Sequence, residues 1–175
     1  MNPVIGEFAS SSFYSEYPLV SSEVDVASKQ PNLGGLYNDR PIAWINLDKN
    51  QYGTEEGGIS KSRKGEAERI LKEVKRVFSK NAHKTIGIIS FYRKQSELIR
   101  DLAKRELTDS QIERVSIGTV DAFQGKEFDV VFLSCVRANK HDLNDRRHRV
   151  GHIDDASRLC VSFTRARQLM VGVGD

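Results

Sequence analysis

The segment SRLCVSFTRA carries two residues suited to phosphate chemistry, Arg158 and Arg165. A guanidinium is always charged and donates hydrogen bonds in pairs, which matches the oxygens of a phosphate. If residues 155–166 form a helix, these two arginines point the same way. Four apolar residues share the opposite face, namely Ala156, Leu159, Cys160 and Phe163. The pattern predicts either an anion-binding face or an ordinary solvated face of a helix packed on a sheet.

A second stretch with chemical potential reads GTVDAFQGKE, residues 118–127. The hydroxyl of Thr119 could donate to a phosphate, and the carboxylate of Glu127 could accept from a ribose hydroxyl. Gly125 suits a tight turn, because glycine tolerates the backbone angles that such turns need. A plain connection between two strands explains the same residues, so the pattern alone leaves both interpretations open.

The segment RANKHDLNDRRHR, residues 137–149, is predicted to be a charged loop. Its lysine and arginines could contact a phosphate backbone, where each neutralised phosphate adds salt-dependent affinity. A solvated surface loop has the same composition, so this segment does not decide between the two.

Two kinds of site are missing from the sequence. There is no GxxxxGK[ST] phosphate loop, and the glycine pair in GGISKS lacks its spacing. No apolar strand ends in an Asp-Glu pair that could hold magnesium, and two cysteines with four scattered histidines do not make a zinc site. We therefore predict no metal site and no hydrolysis of a nucleoside triphosphate by this chain alone.

The composition is that of an ordinary globular domain: 175 residues, 38% hydrophobic, 29% charged, with a net charge of +3. The mild basicity permits nucleic-acid binding without arguing for it. Cys135 and Cys160 each lie among apolar residues, which predicts buried, reduced thiols and a cytoplasmic or nuclear setting. No apolar run approaches the length of a membrane span, and no signal-peptide layout is present.

Apolar periodicity predicts strands that alternate with helices. Residues 1–40 are expected to be largely irregular, with at most a short helix through Val4, Ile5, Phe8 and Ser12. Strands are predicted at 41–47, 85–91, 114–120, 128–136 and 169–174. Helices are predicted from Ser62 to Phe78, at 93–107 and at 155–166. Loops are predicted at 21–40 and 50–62. Strands that are apolar on both faces indicate an α/β fold, a mostly parallel sheet flanked by helices in three layers. Ligands of such sheets gather at the carboxyl ends of the strands.

Four motifs, in this order, resemble the second RecA-like domain of superfamily 1 helicases, in the group that contains the nonsense-mediated-decay RNA helicase. They are MNPVIGEFASSSFYSE, IGIISFYRKQ, IGTVDAFQGKEFDVVFLSCVRAN and SRLCVSFTRARQLMVGVGD. The last two resemble helicase motifs V and VI very closely. The resemblance implies a RecA-like fold of the P-loop NTPase type without a phosphate loop, and an ATP-dependent helicase or translocase as the parent protein.

The resemblance implies a nucleotide site shared between two domains. ATP with Mg²⁺ would lie in the cleft, held mainly by a first RecA-like domain that this chain does not contain. Arg165 matches the arginine that meets the γ-phosphate, and Glu127 matches the glutamate that meets the ribose. Gly125 would let the backbone approach the nucleotide. Arg158 matches the first arginine of motif VI and is assigned to the nucleotide side.

The resemblance also implies a partner, single-stranded RNA or DNA. Thr119 matches a position that touches the nucleic-acid backbone, and Tyr92 and Gln95 are weaker candidates for the same surface.

The chain begins at the methionine of the family's YRMHP motif, without the Tyr and Arg that precede it, and Asn2 replaces the usual His. Residues 1–175 are therefore expected to be a single domain excised from a longer protein, inactive by itself.

Two other functions stay open. A degenerate helicase-fold domain could act only as a docking module for nucleic acid or protein. Such a module has no need of the Arg165 and Glu127 pattern. An unrelated α/β enzyme of small-molecule phosphate chemistry would require a glycine-rich phosphate loop after its first strand, and the sequence has none.

Overall fold

The computed structural model describes residues 1–14, 30–138 and 150–175. The strands are β1 (Ile42–Asn46), β2 (Ile86–Ser90), β3 (Val115–Thr119), β4 (Phe128–Ser134) and β5 (Ala166–Gly174). The α-helices are α1 (Pro3–Phe13), α2 (Lys49–Tyr52), α3 (Lys64–Lys80), α4 (Arg93–Glu106), α5 (Asp109–Ile112) and α6 (Ala156–Phe163). Short 3₁₀ turns span Leu36–Asp39, Val120–Phe123 and Gly151–Asp154.

The five strands form one sheet in the order β1-β5-β4-β2-β3, and every neighbouring pair is parallel. Helices α3 and α4 cover one face, and α1 and α6 cover the other. All five residues of β2 are buried, as expected of a strand with helices on both sides. The predicted three-layer α/β architecture is confirmed.

The α3 face forms the larger core because its apolar residues recur every three and four positions. Ile70, Leu71, Val74 and Val77 are completely buried and pack against Ile86, Ile88, Val130 and Phe132 of the sheet. The predicted amphipathic helix is therefore confirmed. Cys135 and Cys160 are buried and free, as their apolar neighbours indicated.

The first part of residues 1–40 is regular and not irregular: the short helix allowed through Val4, Ile5, Phe8 and Ser12 is present as Pro3–Phe13. The side chain of Asn2 accepts a hydrogen bond from the backbone N–H of Val4 at 3.0 Å, and Pro3 occupies the first helical turn. Ile5 and Ala9 are buried against the sheet, and the ring of Phe8 lies 4.9 Å from that of Phe163 on α6. The Asn-Pro pair was the sequence signal for the start of this helix.

Two further boundaries differ from the predictions. Helix α6 ends at Phe163, and β5 begins at Ala166, three residues before the predicted strand. Strand β4 ends at Ser134, because Val136 has a φ of 71°, which no strand residue adopts. The predicted loop at 50–62 contains the end of α2 and a bridge between Glu56 and Ser62. Part of the predicted 21–40 loop and most of the 137–149 loop lie outside the described residues.

The connection from β3 to β4, residues 120–127, crosses over β2 without an α-helix. Its anchor is Phe123, which is 2% exposed and lies 5.3 Å from the ring of Phe128. Two strand glycines make room for these rings. A Cβ on Gly87 would lie 2.8 Å from Phe128 and 3.2 Å from Phe123, and a Cβ on Gly118 would lie 3.1 Å from Phe123. The glycines therefore fix how closely this crossover approaches the sheet.

We expect Gly87→Ala to lower the free energy of unfolding by about 1–3 kcal/mol, because the new methyl group overpacks two buried rings. Gly58→Ala is the matched control, since a Cβ there meets nothing within 4 Å. Urea unfolding of both variants checks this expectation. Equal stability of the two variants would contradict the described packing.

Candidate functional site

The predicted site residues lie at two opposite edges of the sheet. Thr119 ends β3 and Tyr92 follows the end of β2, so both are at the carboxyl edge. Glu127 precedes β4 and Arg165 precedes β5, so both are at the amino edge. Since β4 has seven residues, the edges are on the order of 20 Å apart. Glu127 and Arg165 therefore lie away from the carboxyl edge, where ligands of such sheets commonly gather.

Arg165 lies between α6 and β5, where its guanidinium is held by three hydrogen bonds. Its Nε donates to Val161 O at 3.0 Å, its Nη1 to Lys126 O at 3.3 Å and its Nη2 to Thr164 Oγ1 at 3.0 Å. A guanidinium has about five N–H donors, so these bonds orient the group and leave two donors for an anion. Because α6 has ended, Arg165 does not share a helix face with Arg158, and that prediction is wrong.

Glu127 lies between two residues whose backbone groups form hydrogen bonds with Arg165. The carbonyl of Lys126 accepts from Arg165, and the amide of Phe128 donates to Arg165 O at 2.9 Å. Glu127 lies between these two residues and is exposed. Gly125 has a φ of 77°, and nothing lies within 4 Å of where its Cβ would be. The turn therefore requires glycine for its backbone angle and leaves that backbone open to a ligand.

The second arginine of the TRAR sequence, Arg167, is engaged elsewhere. Its Nη2 donates to Asp129 Oδ1 at 3.0 Å, and Asp129 also accepts from the backbone and hydroxyl of Thr85, at 2.9 Å each. This ion pair fastens β5 to β4 at the amino edge. Sequence reasoning did not identify it. Arg167 thus joins two strands through a carboxylate, whereas the guanidinium of Arg165 is bonded to three uncharged oxygens.

Arg158 lies with the predicted site residues of the carboxyl edge, and not with those of the amino edge. It lies in the first turn of α6, with its Nη2 3.5 Å from Asp121 and its Nε 3.8 Å from Asp155. Asp121 is two residues after Thr119, at the start of the crossover. The structure therefore brings Arg158 together with Thr119, and not with Arg165 and Glu127.

Tyr92 and Gln95 are much less accessible than a nucleic-acid contact requires. Tyr92 is 4% exposed, with its ring 5.3 Å from that of His152. Gln95 is fully buried: its Oε1 accepts from Arg63 N at 2.8 Å, and its Nε2 donates to Ser134 Oγ at 3.1 Å. Because these bonds use both ends of the amide, Gln95 supports the carboxyl edge from inside and does not form its surface. Thr119, by contrast, is partly exposed.

The sequence analysis missed a buried carboxylate beneath this edge, Glu66 of α3. Glu66 Oε1 accepts from Ser134 Oγ at 2.6 Å, and both of its oxygens accept from the Val136 N–H, at 3.0 and 3.1 Å. Arg63 Nη1 lies 3.7 Å away, and both side chains are fully buried. Burial raises the pKa of Glu66 to about 7, although these donors and the arginine favour the charged form. Helical spacing put Glu66 on the buried face with Ile70, but its partners could not be read from the pattern.

A family model described as an AAA domain (AAA_12) matches residues 1–175, the whole chain. The chain belongs to this family. Among the described residues, no helix is long and apolar enough to cross a membrane, and no group of His, Cys, Asp or Glu side chains could hold a metal ion.

Curated relatives are helicases, and the whole chain aligns with two of them. It is 32% identical over 188 residues to the DNA polymerase alpha-associated DNA helicase A of Saccharomyces cerevisiae, and 28% identical over 186 residues to the regulator of nonsense transcripts 1 homolog of Neurospora crassa. It is also 36% identical to the RNA helicase Mov10l1 of Mus musculus over 57% of the chain. The chain spans only 26%, 16% and 8% of these proteins. The resemblance to a second RecA-like domain of superfamily 1 helicases, in the nonsense-mediated-decay group, is confirmed.

A solved structure supports the fold. The C-terminal domain of a possible DNA helicase from Lactobacillus plantarum WCFS1 superposes with a TM-score of 0.52 at 12% identity, covering 87% of this chain and 85% of that one. At this identity the likeness concerns the fold alone, which is RecA-like as predicted.

We expect Glu66→Gln to remove a pH dependence of stability. Burial raises the folded-state pKa of Glu66 from 4.5 to about 7, so the folded protein retains a proton that the unfolded chain releases. The resulting stabilisation is full below the unfolded pKa and is lost as the pH rises through the folded pKa. Between about pH 5 and 8, the wild-type free energy of unfolding should fall relative to that of the variant. The groups facing Glu66 are the Arg63 guanidinium, the Ser134 hydroxyl, the Val136 N–H and Cys135.

Glu73→Gln is the matched control for this measurement, because Glu73 is a second buried carboxylate of α3. Burial opposes its ionisation, but hydrogen bonds from Tyr37, Arg76 and Arg69 outweigh burial and lower the pKa of Glu73. Glu73 is therefore ionised in both states over this range, and its variant should differ from wild type by a constant amount. A constant difference for Glu66→Gln as well would contradict the raised pKa.

Proposed function

We propose that this chain is the second motor domain of an ATP-dependent superfamily 1 helicase or translocase. In this proposal it supplies Arg165 to the γ-phosphate and part of the surface that grips a single strand of RNA or DNA. One observation carries the proposal. The eight-residue crossover 120–127 follows Thr119 and ends at Glu127, and the carbonyl of its Lys126 holds the guanidinium of Arg165.

The residues at the amino edge fit half of a nucleotide site. Arg165 is oriented by three hydrogen bonds and keeps two donors, which suits the charge that develops on a transferring phosphoryl group. The exposed carboxylate of Glu127 can accept from a ribose hydroxyl, and the open backbone at Gly125 allows close approach. Bound ATP with Mg²⁺ would supply the phosphoryl group, and we assign the metal ligands and the phosphate loop to a first RecA-like domain.

The crossover gives these residues a means of acting together. A nucleotide that draws Arg165 toward the first domain also pulls on Lys126, and through the buried Phe123 on the crossover that starts at Thr119. Closure of two domains on ATP, and reopening after hydrolysis, would then change the grip on the strand. A cytoplasmic or nuclear setting is part of this proposal.

We expect Arg165→Ala to reduce the nucleic-acid-stimulated ATPase rate on the order of a thousandfold, since the transition state loses its stabilising arginine. The test uses the longer protein that joins this domain to a first RecA-like domain, and measures hydrolysis with and without single-stranded RNA or DNA. ATP binding, measured with a fluorescent analogue, should persist in the variant.

Arg167→Ala is the control, because it removes an arginine two positions away that binds Asp129. It should lower the melting temperature and leave most of the stimulated rate. Equal losses in both variants would contradict a specific role for Arg165. A wild-type protein without stimulated hydrolysis would favour the docking module instead.

A further inference from the structure

An apolar cavity of about 630 Å³ opens beside the carboxyl edge, on the face covered by α1 and α6. Its walls include Trp44 of β1, Phe8 of α1 and Phe163 of α6. Two charged side chains, Arg137 and Asp175, line it as well. This volume and a mainly apolar wall with a few polar groups are typical of small-molecule sites.

The aromatic wall is fixed in place. Trp44 is 56% exposed, yet its indole lies flat over two glycines of β5. A Cβ on Gly172 would lie 2.4 Å from Trp44 Cε3, and one on Gly174 would lie 3.2 Å from Trp44 Cη2. The two glycines therefore leave room for the ring against β5, and part of the ring is exposed.

The guanidinium of Arg137 is held by an acidic residue and by a strained turn. Its Nε lies 3.4 Å from Glu55 Oε1, and its side chain is only 9% exposed. Glu55 also accepts from the Ala138 N–H at 3.0 Å. The backbone turns sharply just before the Arg137 side chain: the Arg137 N–H donates to Cys135 O at 2.8 Å, and Val136 has a φ of 71°. This geometry is that of a γ-turn with positive φ, which is rare and costly for a β-branched residue.

The strain at Val136 is maintained by Glu66, whose carboxylate receives the Val136 N–H and the Ser134 hydroxyl. Strained backbone persists only where its surroundings enforce it, and it clusters at functional sites. The turn sets the direction in which Arg137 leaves β4. Glu66 is therefore a positioning residue for the guanidinium in the cavity.

We propose that this cavity binds one nucleobase of a single-stranded nucleic acid, stacked on Trp44 and contacted by Arg137. The inference rests on the proposed function. Single strands are bound by aromatic platforms combined with arginine, and splayed bases are hydrogen-bonded along their edges by polar side chains. The site also lies at the carboxyl edge, the same edge of the sheet as Thr119. A Cβ on Gly151 would lie 2.4 Å from Tyr92 Oη and 3.7 Å from Arg137 Cδ, so Arg137 and Tyr92 flank one residue at the carboxyl edge.

Trp44 is the only tryptophan of the chain, so its fluorescence reports on the cavity directly. The experiment titrates the chain with a 15-nucleotide oligothymidylate at low salt, following Trp44 emission and, in parallel, the anisotropy of a fluorescein-labelled copy. We expect saturable quenching of Trp44 with the same midpoint as the anisotropy change. Arg137→Ala should weaken the quenching midpoint by about tenfold, the cost of a lost charged hydrogen bond.

Glu66→Gln tests the positioning role, with Glu73→Gln as the control in the same helix. Glu66→Gln should weaken binding in the otherwise wild-type protein. It should have little further effect in the Arg137→Ala variant, because Glu66 acts through the side chain of Arg137. Glu73→Gln should leave the midpoint within about twofold. A purely structural role for Glu66 would weaken binding equally in both backgrounds.

The outcomes separate this inference from the proposed function. Binding seen by anisotropy without quenching of Trp44 would overturn the base site and leave the proposed function standing. Quenching that is unchanged in both Arg137→Ala and Glu66→Gln would overturn the assignment of Arg137. If neither Trp44 fluorescence nor anisotropy shows binding, the chain has no surface for a single strand. That result would contradict both the base site and the proposed function.

Discussion

The constraint on which the structure depends is the parallel direction of all five strands. Each strand ends at the carboxyl edge, so the chain must return across the whole sheet before the next strand begins. Between β3 and β4 it returns without an α-helix, in eight residues anchored by Phe123 over Gly87 and Gly118. This short path is why Thr119 and Glu127, close in sequence, lie at opposite edges.

The charged groups follow from that arrangement. At the amino edge, Arg167 pairs with Asp129, while Arg165 is oriented by two backbone oxygens and by the Thr164 hydroxyl. At the carboxyl edge, the Glu66 carboxylate is buried under Val136 and enforces a strained turn. In our proposals, each edge has one group that fastens the sheet and one that would face a ligand, and the crossover links the two edges.

Much of the fold could be predicted from the sequence, because apolar spacing reports burial directly. Helix α3 and strand β2 have strong periodic or continuous apolar patterns, and both lie where they were predicted. What failed required information beyond periodicity. The shared face of Arg158 and Arg165 assumed a helix through residue 166, whereas the helix ends at Phe163. Gln95 was assigned to the surface, but it bonds Arg63 and Ser134 in the interior. Glu66 and Ser134 are 68 residues apart, and no local pattern encodes such a pairing.

We propose that nucleotide and nucleic acid occupy opposite edges of the sheet, joined by residues 120–127. Amide chemical shifts of the isotope-labelled chain, titrated separately with oligothymidylate and with a nucleoside triphosphate analogue, test it most directly. We predict that the oligonucleotide perturbs Thr119 and Arg137 first, that the nucleotide perturbs Gly125, Glu127 and Arg165 first, and that amides of the crossover respond to both. Perturbation of one edge by both ligands, with the other edge unmoved, would contradict the account.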